Sequence, residues 1–104
     1  MTAAASPQLA LDRLADMSPH IREAVVLDAR GRCLAGSPAL AGPARDLLAH
    51  TDGSEVEVAT RRGVVYAARA QRSAIALVAA RAALPSLMLY DLRVVLGDLD
   101  EALA

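Results

Sequence analysis

Two histidines, one cysteine and a knot of carboxylates near the C-terminus are the groups in this sequence best able to ligate a metal or attack a substrate. His20 and His50 lie thirty residues apart, and neither sits in a zinc-ligand pattern. They read instead as a solvated loop histidine and a histidine near a helix end, where its proton suits the helix dipole. Cys33 has no histidine near it in sequence and reads as a small buried hydrophobe in a strand. The serines lack the context of a nucleophile elbow, and the glycines never assemble into a phosphate-cradling loop flanked by Lys and Ser or Thr. The chain therefore cannot itself be a GTPase, and no catalytic residue, cofactor or metal is expected.

Asp98, Asp100 and Glu101 would suit acid and base chemistry only inside a desolvated pocket, and nothing nearby in sequence would build one. They read as a solvated acidic tail. Arg61, Arg62, Arg69, Arg72 and Arg81 fall between Ala59 and Ala83, a stretch with no acidic residue. Turns would put Arg61, Arg62 and Arg72 at loop tips. Only Tyr66 could stack on a base there, whereas sheet-type single-strand binders need an aromatic platform. Solvated hairpin tips are the expectation, with an acidic patch on a partner as the intermediate reading and nucleic acid disfavoured.

These side chains are carried by 104 residues, enough for one domain with one core. The hydrophobic share is 55%, but much of it is alanine, and the only aromatics are Tyr66 and Tyr90. Leu, Val, Ile and Ala must build the core. Eleven basic residues, all arginine, meet 12 acidic ones, so bulk charge gives no reason to favour nucleic acid or an anionic membrane. A single cysteine excludes a disulfide framework and suits a reducing, cytoplasmic setting. Met1 to Pro7 lacks the basic and apolar regions of a signal peptide. The apolar stretch from Ala74 to Tyr90 is divided by Arg81 and Pro85, too short on either side to span a bilayer, so no membrane insertion is expected.

Ser6-Pro7 opens a helix predicted to run from Pro7 to Met17, with Leu11, Leu14 and Ala15 on one face. Glu23 to Asp28 is a near-continuous apolar run typical of a strand covered on both faces. Asp28-Ala29-Arg30-Gly31 then turns the chain into Arg32 to Ala35, and Gly31 supplies a positive φ. Leu40, Ala44, Leu47 and Leu48 are spaced as a short second helix within Pro38 to Thr51, with its regular part expected to begin near Pro43. Glu55 to Thr60 alternates charged and apolar residues as a half-wet strand does. Short turns at Arg61-Arg62-Gly63 and Gln71-Arg72-Ser73 demand antiparallel neighbours for the strands that follow, Val64 to Arg69 and Ala74 to Ala79. A leucine stripe from Pro85 to Leu103 marks a last amphipathic helix, lying on a sheet. Residues 6–104 thus form one domain, and residues 1–5 are expected to be a disordered N-terminus.

This order, with the stretch Ile21 to Ser37, resembles the roadblock, or dynein light chain, family. In that family a first helix leads into an apolar strand, an acidic-to-Gly turn and a second strand ending in small residues, and bacterial members add a closing helix like Leu84 to Leu103. The resemblance implies an α/β fold of the α+β type, with a five-stranded antiparallel sheet in the order 2-1-5-4-3. Helices 1 and 3 would lie on one face and helix 2 on the other. It also implies a homodimer, or a dimer with a related roadblock subunit, through helix 2 and strand 3, here Leu40, Ala44, Leu47, Leu48, Val56 and Val58. It implies further a regulator or platform for a Ras-like small GTPase, for which Arg45, Asp46 and His50 on the polar side of helix 2 are the candidate contacts. Two other functions are open: a small-molecule sensor with a ligand between sheet and helix, and a purely structural subunit that binds only itself. A pocket of about 300 Å³ or more with convergent polar groups would favour the sensor.

Overall fold

A computed structural model describes residues 6–104; the expected disordered residues 1–5 lie outside the described residues. Eight elements follow one another: α1 (Pro7–Met17), β1 (Ile21–Asp28), β2 (Cys33–Gly36), α2 (Pro38–Ala49), β3 (Glu55–Thr60), β4 (Gly63–Arg69), β5 (Ser73–Ala79) and α3 (Pro85–Ala102). The strands form one antiparallel sheet in the order β2-β1-β5-β4-β3. The first helix starts where Ser6 caps it: its Oγ accepts the Leu9 amide at 3.1 Å, and Pro7 occupies the first turn.

Alternation along the strands sends residues to two cores. Val26, Tyr66, Ile75 and Leu77 meet α1 and α3 through Leu14, Met88, Leu92 and Leu99. Val25, Leu27, Ala76 and Val78 meet α2 through Leu40, Ala44 and Leu48. Each fully buried Leu, Ile or Val contributes about 1.5–3 kcal/mol relative to exposure. Strand β5 is buried on both faces along its whole length, and β1 from Val25 to Leu27, as their apolar runs require. Tyr66 is fully buried in the first core and therefore unavailable for stacking on a base. Burial, and secondarily the charge of Glu57, pushes its phenol pKa up. No helix among the described residues is long and apolar enough to cross a membrane.

Four local expectations need correction. The second helix begins at Pro38, not near Pro43, and Pro43 lies inside it. The ring removes one donor to Ala39, but both residues are exposed, so the freed carbonyl faces water. Cys33 is exposed, because the edge strand β2 is short and sparsely covered. Asp100 is no part of a solvated tail: it is buried, its Oδ1 accepts the Arg72 amide at 2.7 Å and the Ser73 hydroxyl at 3.0 Å, and its Oδ2 pairs with the Arg72 guanidinium at 3.2 Å. Arg72 is accordingly an anchor between the β4–β5 turn and α3 rather than a free loop tip.

Candidate interaction surface of helix 2 and strand 3

At one edge of the sheet β3 pairs with β4 on one side only, so among the described residues its outer backbone groups have no strand partner. Its register, Val56 opposite Ala67 and Val58 opposite Val65, turns both valines toward the face that carries α2. Cover from α2 is incomplete there. Val56 is half-buried and Val58 keeps 37% of its surface exposed. Glu55 and Glu57 point to the opposite face. Glu55 is held to α3 by a two-pronged pair with Arg93, at 2.7 and 3.1 Å, which lowers its carboxyl pKa. Half of the charge that could guard the edge is therefore already engaged.

Of the α2 stripe, Leu40, Ala44 and Leu48 are buried against the sheet of their own chain, and Leu47 is half-buried beside them. Arg45 and Asp46 are exposed on the outer side, but Arg45 is not free. Its Nη1 donates to the Gly31 carbonyl at 2.7 Å and its stem lies over that glycine. Asp46 engages through its carbonyl, which accepts from the His50 amide at 3.3 Å and lies 2.8 Å from His50 Nδ1. His50 thus closes the helix as its C-cap. Arg69, which the sequence offers only as one of five arginines in an acid-free stretch, completes this end: from β4 it donates to the carbonyls of Leu48 at 2.8 Å, Gly53 at 2.9 Å and Thr51. A cation there meets the negative end of the helix dipole and ties the Thr51 to Gly53 loop to the helix end. Only its place on the strand adjoining this loop gives it the role, and no local motif signals that.

Two clefts flank α2. One, of about 450 Å³, lies between the β1–β2 turn, the β4–β5 turn and the C-terminal half of the helix, and brings together Asp28, Arg45, Asp46 and Arg69; His50 does not line it. Its size suits a small molecule, but its polar groups are largely occupied. Arg45 and Arg69 donate to main-chain carbonyls, and Asp28 accepts the Arg30 and Arg32 amides and the Arg32 guanidinium. Those bonds, led by the Arg32 amide, lower the Asp28 carboxyl pKa. The other cleft, of about 350 Å³, has Leu40, Pro43, Val65 and Val78 as apolar lining, with Arg61 and Arg62 beside them. Among the described residues no group of three His, Cys, Asp or Glu is placed to hold a metal.

A five-stranded antiparallel sheet in this order, with two helices on one face and one on the other, defines a class of α+β domain. Within that class the chain has the roadblock/LC7 fold. A roadblock/LC7 domain from Streptomyces avermitilis superposes with a TM-score of 0.79 at 18% identity, over 96% of this chain and 98% of that one. MglB of Myxococcus xanthus matches at 0.70 and 10% identity, over 91% and 85%. A structure of MglB with a tetrameric arrangement matches at 0.67 and 17%, over 97% and 92%. No family model and no curated protein matches the sequence. The resemblance to the roadblock family therefore holds at the level of fold.

Proposed function

We propose that this chain is a non-enzymatic scaffold or regulator that pairs with a second roadblock subunit through β3 and α2 and, as that dimer, binds a Ras-like small GTPase. The observation that carries the reading is the unpaired edge of β3, with Val58 exposed and Val56 and Leu47 half-buried beside it. An edge with such a valine row is a template for another strand. Support also comes from the fold shared with MglB, one structure of which has a tetrameric arrangement. Leu40, Ala44 and Leu48 would stand behind the contact and hold α2 in place, with Leu47, Val56 and Val58 forming it. The cytoplasm is the setting this reading assigns.

For the GTPase, Asp46 is the better probe, because Arg45 also secures the β1–β2 turn. The test is calorimetric titration of a Ras-like GTPase encoded beside this gene, loaded in turn with GDP and with a non-hydrolysable GTP. An affinity on the order of micromolar, about 8 kcal/mol, is expected for one nucleotide state, weakened by Asp46→Arg. State preference requires differential contacts, since equal affinity for both states shifts nothing. Equal heats with both nucleotides would remove the switch-reading role, and an unchanged Asp46→Arg affinity would remove this surface.

A further inference from the structure

The near-zero net charge of the chain conceals an uneven distribution. At one end of the sheet three segments meet: the start of β1, the β3–β4 turn and the β5–α3 loop. The contacts that join them are explicit. Ile21 pairs with Ala79 and Val64 with Ala79, and the Ala80 amide donates to the His20 carbonyl at 2.9 Å. Arg22 Nη1 donates to the Arg62 carbonyl at 2.6 Å, and Arg81 donates to the Thr60 carbonyl. Four exposed arginines, Arg22, Arg61, Arg62 and Arg81, are thereby gathered at this end.

Ion pairs among the described residues use Arg13, Arg32, Arg72 and Arg93, and none of these four. The carboxylates nearest to them in the chain are Glu23, which accepts the Ser37 hydroxyl at 3.1 Å and lines a cleft with Arg61 and Arg62, and Glu57 of β3, which precedes Arg61. Helix α3 adds to the positive field, because its N-terminus points from the same end and its first turn holds no acidic residue. Beside Arg81 stand the two most exposed large apolar side chains after residue 80 other than Tyr90: Leu84 at 64% and Leu87 at 51%.

We infer that this arginine-rich end adsorbs the protein to the surface of an anionic membrane, the arginines meeting lipid phosphates while Leu84 and Leu87 dip to headgroup depth. Peripheral attachment of this kind combines basic residues with a few protruding apolar ones and needs no spanning helix. An acidic protein would be drawn by the same charge; the exposed Leu84 and Leu87 beside the arginines add the apolar anchor that attachment to a lipid surface combines with basic residues. The attraction is electrostatic, so it weakens as salt shortens the Debye length.

The experiment is co-sedimentation with vesicles of phosphatidylcholine alone and with vesicles carrying a third of their lipid as phosphatidylglycerol. Binding is expected to the anionic vesicles only, and to fall as salt rises. Arg61→Gln with Arg62→Gln should weaken it at least about tenfold, while Arg61→Lys with Arg62→Lys retains it. Leu84→Ser with Leu87→Ser should weaken binding without altering its salt dependence. Arg30→Gln, at the far end of the sheet, should bind as the unaltered protein does. All these side chains are exposed, so their replacement leaves the cores intact. No sedimentation with anionic vesicles, equal sedimentation with neutral ones, or an Arg30→Gln loss equal to that of the turn arginines would overturn the assignment. So would turn-arginine variants that keep vesicle binding and lose an acidic protein partner instead.

Discussion

Gly31 shows how one backbone angle ties the hairpin to the helix surface above it. Its φ of 85° is open to glycine at little cost, and a Cβ built there would stand 2.4 Å from Arg45 Cδ. The same Arg45 reaches past that point to bond the Gly31 carbonyl. Gly31→Val therefore meets two penalties: a strained angle and the displacement of a side chain that fastens α2 to the turn. A loss of stability larger than the roughly 1 kcal/mol of an ordinary surface change is expected in denaturant unfolding. An unchanged midpoint would show that neither the angle nor the arginine stem constrains the turn. A residue nominated in sequence for a partner contact is thus committed first to holding its own fold.

At the scale of elements, the parts most legible in sequence are those with local causes. Ser6-Pro7 starts α1 at the expected residue, and Asp28 to Gly31 makes the expected turn, because caps and turns are decided within a few residues. The long-range ties were hidden for the complementary reason. Asp100 finds Arg72 and Ser73 across 28 and 27 positions, and no spacing rule connects them. Cys33 departs from expectation because its type favours burial while its strand lies at an edge. Asp100 also offers a sharp test of what secures α3. Asp100→Ala would leave the buried Ser73 hydroxyl without its acceptor, a cost of about 1–3 kcal/mol, and would free the Arg72 amide and guanidinium from α3. Thermal unfolding should show that loss, and hydrogen exchange should show it first in the last turn of α3 and the β4–β5 turn. Loss spread evenly over the domain would mean that the leucine stripe alone holds the helix.

For the whole molecule the question is whether the open edge is closed by a second copy. With 12 residues, α2 is about 18 Å long and uses Leu40, Ala44 and Leu48 on its own sheet, so it has little apolar surface left to offer. Much of any contact must then come from β3, through its free backbone groups and the row of Val56 and Val58. A stable pair needs about 800 Å² from each subunit, which strand addition and the half-buried Leu47 together must supply. Val58→Asp isolates this contribution, because Val58 is partly exposed in the single chain and its loss leaves both cores filled. At a two-fold interface the new carboxylate would be desolvated and brought close to its symmetry mate, so the variant should be a folded monomer. Leu40→Asp provides the contrast: it buries a charge in the chain's own core and should unfold the domain before it reports on assembly. Light scattering at tens of micromolar, paired with circular dichroism, separates the two cases. A monomeric unaltered protein, or a Val58→Asp variant that remains dimeric, would remove β3 from the interface.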